Sequence, residues 1–153
     1  MKNKISVIEP RILPLVTAIN QTGLFTTFSS CEGHFEPNQQ TIDDRNQADV
    51  RFERKKGVSE KRADDFLYFL VNEYPLGVIR AGLLVCKIYA PFHPLNTANY
   101  VYVIQIEPYD RIDTPKRKRA ETDEGIDMLL SIIHKYQKMR KKKGSRQIKI
   151  QTT

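Results

Sequence analysis

The sequence predicts an α+β domain with elements in the order α-β-β-α-β-β-α and a mixed or antiparallel sheet covered by helices. Three observations lead there. Three segments carry apolar residues at helical spacing, and four others alternate in hydropathy or are rich in β-branched and aromatic residues. The strands fall in pairs whose connections are too short to hold a crossover helix. The chain has 153 residues, the length of one ordinary domain, enough to bury a core without a disulfide or metal staple.

The first helix is expected from Pro10 to Asn20, where Ile12, Leu13, Val16 and Ile19 share a face and Gly23 follows at a left-handed C-terminal position. Leu24 to Ser30 then turns to threonine and phenylalanine and reads as a strand. Ala48 to Arg54 is a half-buried strand, because Val50 and Phe52 alternate with Asp49, Arg51 and Glu53. Residues 35 to 47 between them are polar and form a loop. Ser59 caps a second helix with a buried stripe of Ala63, Phe66, Leu67 and Leu70. Strands near Leu83 to Ala90 and Tyr100 to Glu107 form a hairpin around Pro91, Pro94 and Asn96. Asp113 to Arg119 reads as a polar connection, and the last helix is expected from about Glu121 to Met139 with Ile126, Leu129, Leu130 and Ile133 facing inward. Residues 1–143 form one domain, and 144–153 form a basic tail, either disordered or a short edge strand through Ile148 and Ile150.

The formal net charge is +7, from 25 basic and 18 acidic residues, but it is unevenly placed. Lys116, Arg117, Lys118 and Arg119 form one basic cluster, and Lys135, Lys138, Arg140, Lys141, Lys142, Lys143, Arg146 and Lys149 form another. Together they hold 12 of the 25 basic residues, leaving 13 against 18 acidic ones, so the rest of the chain is mildly acidic. Such separation points to RNA or another polyanion as partner, against the plainer reading of a solvated, frayed end. The longest apolar stretches, Leu83–Cys86 and Tyr100–Ile104, are far short of a membrane span, and Glu9, Pro10 and Arg11 interrupt the start too soon for a signal peptide. With Cys31 and Cys86 as the only cysteines, the expectation is a cytoplasmic protein in a reducing compartment, with no membrane partner.

The stretch Ser29-Ser30-Cys31-Glu32-Gly33-His34 is the candidate site, since two hydroxyls, a thiol, a carboxylate and an imidazole crowd around one glycine at a strand end. The plainer reading is a hydroxyl-rich turn with a packed cysteine. Three chemistries suit these groups. In the first, Cys31 and a histidine, either His34 or His93, form a reactive pair with Glu32 orienting the imidazole. In the second, the C-x-x-H spacing of Cys31 and His34 is that of a two-ligand zinc clip, with His93 or Glu32 as a third ligand; no second pair completes a closed site, so no metal is assigned. In the third, Ser29, Ser30 and the backbone around Gly33 hold an anionic group. His134 reads as a packed or half-exposed structural residue and the alternating Tyr100 and Tyr102 as core residues with their hydroxyls at the rim, although exposed tyrosines at that spacing would form a base-stacking platform.

Thr27-Phe28-Ser29-Ser30-Cys31-Glu32-Gly33-His34 resembles the Ser-Ser-Cys-Ser-Gly-Arg signature of the wybutosine-synthesis tRNA methyltransferase family. The resemblance implies a similar scaffold, a ligand near Ser29, Ser30, Cys31 and Gly33, and S-adenosylmethionine as cofactor; Glu32 and His34 depart from the signature. The same turn is similar to a Ser-Cys-x-Gly-His turn in small phage- and plasmid-borne proteins. The reading that joins these signals is a nucleotide- or RNA-directed enzyme or ligand-binding domain, tRNA-modification-like, with its pocket at Ser29–His34. The alternatives are a non-enzymatic nucleic-acid or protein-binding accessory module of a mobile element, and a homo-oligomeric structural protein.

Overall fold

In the computed structural model, residues 8–35, 47–90, 100–110 and 112–150 are described, the last eight of them as backbone only. The elements are α1 (Leu13–Gln21), β1 (Phe25–Cys31), β2 (Ala48–Arg54), α2 (Glu60–Glu73), β3 (Ala81–Tyr89), β4 (Tyr100–Pro108) and α3 (Pro115–Ile150). The order is the expected α-β-β-α-β-β-α. Four strands form one antiparallel sheet in the order β1-β2-β4-β3, so β1 and β3 are its edges.

Register follows from the alternation of apolar residues. Val50 lies opposite Ile104, which lies opposite Val85, and Phe52 pairs with Tyr102. These side chains meet the helices on one face of the sheet, where Phe25, Phe52 and Tyr102 form an aromatic cluster with Phe66 of α2. Tyr102 is fully buried and Tyr100 half-buried, the latter with Lys87 Nζ 4.5 Å from its ring centre, so neither offers a stacking platform. The helix α3 packs on β3 and β4 and between α1 and α2. Gly125 permits this approach, because a Cβ there would stand 2.6 Å from Ile106 Cγ2 and 3.0 Å from Ala81 Cβ.

Local signals explain most boundaries. Ser59 Oγ accepts the Arg62 N–H at the start of α2, and Gly23, at φ 72°, ends the α1 segment with its N–H donating to Asn20. Two boundaries differ from expectation. The helix α3 begins at Pro115, so the cluster 116–119 is helical and not a loop: Thr114 accepts the Arg117 N–H through its hydroxyl, and Pro115 occupies the first helical position. It also continues to Ile150, where a disordered tail or edge strand was expected. Lysine, arginine and glutamine are good helix formers, and they carry the backbone on from a helix already nucleated on the core.

Candidate functional site

The chain leaves β1 through a turn at Glu32–Phe35 that is held from both sides. Gly33 has φ 85°, and a Cβ on it would meet the Phe35 ring at 2.8 Å. Only glycine fits here. From α3, the Arg119 guanidinium reaches the turn: Nη1 donates to the carbonyls of Glu32 (2.7 Å) and Gly33 (3.1 Å), and the group lies 4.9 Å over the Phe35 ring. Its Nη2 forms an ion pair with Asp123 Oδ1 at 2.5 Å, and Asp123 Oδ2 pairs with Arg11 at 2.6 Å. From the segment before α1, the Arg11 N–H donates to Glu32 Oε2 (2.9 Å), while Glu9 Oε2 accepts the Glu32 N–H (2.8 Å). A further pin fixes α1 against β1, where Asn20 accepts the Thr27 N–H and donates to its hydroxyl.

This bracing brings three reactive groups together. One ligand-type atom each from Glu9, Cys31 and His34 lies within 4.8 Å of the others. Glu9 Oε1 stands 3.6 Å from His34 Nε2, with the two side chains 34% and 40% exposed. Cys31 lies beneath them, 4% exposed. A thiol, an imidazole and a carboxylate in this arrangement suit proton transfer at His34, orientation of its ring by Glu9, and ligation of a cation by all three.

Cys31 and His34 are therefore brought together as the sequence suggests. The carboxylate facing the imidazole is Glu9, whereas Glu32, expected in that role, spends one oxygen on the Arg11 backbone. Glu9 carries no local signal: it is 25 positions from His34 and belongs to a different element. His93 lies outside the described residues. Ser29 is exposed and paired in register with Arg51, and Ser30 is half-buried opposite Val50.

The basic residues divide by surroundings. Lys116 and Arg117 are exposed, but Lys118 is only 5% exposed and Arg119 is turned inward onto the turn, so neither of these two presents its charge openly to solvent, where phosphate contact was expected. Their helical position explains it, since successive residues on a helix point in directions about 100° apart. Lys138, Arg140, Lys141 and Lys142 are exposed on the far half of α3. The side chain of Lys143 lies outside the described residues. His134 is exposed beside Lys135 and Lys138 in a shallow groove along α3. No helix among the described residues is long and apolar enough to cross a membrane.

Comparison of the chain with family models, curated proteins and solved structures finds no match.

Proposed function

We propose that the chain is a nucleotide- or RNA-directed enzyme whose reactive centre is the turn after β1. The convergence of Glu9, Cys31 and His34 within 4.8 Å carries this reading. A turn with a merely structural role has no need to gather a thiol, an imidazole and a carboxylate from two separate segments. Cys31 and His34 are the reactive pair, and Glu9 orients the imidazole. Ser29, Ser30 and Gly33 border the pair and hold the ligand.

The polyanion is drawn in by α3. Its exposed Lys138, Arg140, Lys141 and Lys142 stand about 28–35 Å along the helix from Arg119, at roughly 1.5 Å per residue. Docking and chemistry are thus separable on the molecule. The resemblance of Ser29–His34 to the wybutosine-family signature supports a ligand near Ser29, Ser30, Cys31 and Gly33 and makes tRNA modification the first reaction class to test.

The test is to incubate the protein with total RNA, with and without S-adenosylmethionine, and to follow nucleosides by mass spectrometry beside RNA affinity by fluorescence anisotropy. His34→Ala abolishes a chain-dependent nucleoside change and leaves affinity intact. Neutralising Lys138, Arg140, Lys141 and Lys142 together weakens affinity. No nucleoside change with wild-type protein, joined to loss of affinity in the neutralised variant, would establish the accessory binding module instead.

A further inference from the structure

Resting on the reading that this turn is the reactive centre, we propose that Glu9, Cys31 and His34 bind one divalent transition metal of the zinc class and leave a fourth position open to solvent. The donor set is right for such an ion: a thiolate, an imidazole nitrogen and a carboxylate oxygen, three protein ligands being the pattern of zinc sites that do chemistry. Thiolate and carboxylate together neutralise the ion's two positive charges.

The spacing agrees. Ligands about 2.0–2.3 Å from one tetrahedral ion stand roughly 3.3–3.8 Å from each other. Glu9 Oε1 and His34 Nε2 are already 3.6 Å apart, and the whole set lies within 4.8 Å, so closure asks for about 1 Å of side-chain movement. The ligands are also held from behind, as metal ligands are. Glu9 is oriented by the bond from the Glu32 N–H to Oε2, which leaves Oε1 turned to His34. Cys31 is fixed by its pairing with Asp49 at the end of β1, and His34 follows the glycine turn that Arg119 clamps.

Burial suits the three residues to their places around an ion. Cys31 is 4% exposed, so an ion bound to its sulfur is shut off from solvent on that side. An ion reaches it through His34 and Glu9, which are 40% and 34% exposed and leave the remaining coordination position outward. The C-x-x-H clip has its third ligand in Glu9, which the spacing of the clip does not reveal.

Cobalt(II) is the probe, added to metal-free Cys86→Ser protein, in which Cys31 is the one remaining thiol of the two in the sequence. One cobalt per chain is expected, with a thiolate-to-cobalt absorption band that Cys31→Ala removes. His34→Ala and Glu9→Gln each weaken binding by on the order of tenfold or more. Circular dichroism checks that the variants fold; should Cys31→Ala unfold, His34→Ala decides the matter, because its ring is half-exposed. Absence of the band, or undiminished affinity in His34→Ala, overturns the metal site. If cobalt fails to bind while iodoacetamide alkylates Cys31 faster than it does in His34→Ala, the metal is excluded and the reactive pair stands. If neither binding nor His34-dependent alkylation is seen, both fall.

Discussion

Arg119 Nη1 donates to the carbonyl oxygens of both Glu32 and Gly33, at 2.7 and 3.1 Å, across 87 and 86 residues of sequence. The turn that presents His34 is therefore held by the first third of α3 and not by its own strand. Loss of that clamp should loosen the site before it unfolds the sheet, because the core cluster of helix and sheet residues includes neither Arg119 nor the turn residues 32–35.

Replacement of Arg119 by lysine should not rescue the clamp. A guanidinium serves two carbonyls, a carboxylate and an aromatic face at once, and an ammonium lacks the planar fork for that. Arg119→Lys and Arg119→Ala should both lower stability by about 1–3 kcal/mol, since either leaves partly buried carbonyls unmatched. Urea unfolding measures it, and full retention of stability in Arg119→Lys would show the fork to be unnecessary.

Gly33→Ala should be costlier than an ordinary surface change. A left-handed backbone and a Cβ at 2.8 Å from the Phe35 ring combine, so about 1–3 kcal/mol is expected. Gly57, also at positive φ (86°) but with nothing within 4 Å of its would-be Cβ, is the control that carries only the backbone part. Urea midpoints of Gly33→Ala and Gly57→Ala separate the two contributions; equal losses would mean that contact with Phe35 is relieved at no cost.

How legible these features are in the sequence depends on how far their causes reach. The bounds of β2 and the Ser59 cap of α2 are visible because alternation and capping act within a few residues. Gly33 is legible for the same reason, as a glycine amid reactive groups. The start of α3 carries the local signal Thr114-Pro115, but the four basic residues after it imitate a solvated loop. Glu9 and Arg11 leave no trace, because their partners Glu32 and Asp123 are 21 to 112 positions away and no periodicity links them. The inward turn of Lys118 and Arg119 depends on which side of α3 meets the sheet, and that is set by tertiary packing.

Lys87 should make stability sensitive to pH at both extremes. It lies at the α2 end of the core face and donates to Glu60 and to both oxygens of Asp64, at 3.1 and 3.0 Å. Burial would push the Lys87 ammonium down, but these two carboxylates outweigh it and raise it above its ordinary value. The hydrogen bond from Lys87 lowers Glu60 below its ordinary range despite some desolvation. A depressed carboxyl stabilises the fold above its unfolded value, and that contribution fades as pH falls through the folded one; a raised ammonium does so below its unfolded value and fades as pH rises. Lys87→Met should therefore lose stability relative to wild type by a constant amount between about pH 5 and pH 10, with the gap narrowing outside that window. Thermal melts across pH measure the gap, and a pH-independent gap would refute the account.

Gly125→Ala sets two opposed effects against each other. Alanine is favoured over glycine in a helix by about 1 kcal/mol. Its methyl, however, would lie 2.6 Å from Ile106 Cγ2, 3.0 Å from Ala81 Cβ and 3.1 Å from Tyr74 Oη, and two of these contacts belong to strands of the sheet. Overpacking of that kind costs about 1–3 kcal/mol, and α3 must lift from β3 and β4 to relieve it. Net destabilisation is expected, with a lower midpoint in urea and an unchanged slope. A stabilised Gly125→Ala protein would mean that α3 shifts freely over the sheet, and then the Arg119 clamp, six residues earlier in the same helix, would have to yield as well.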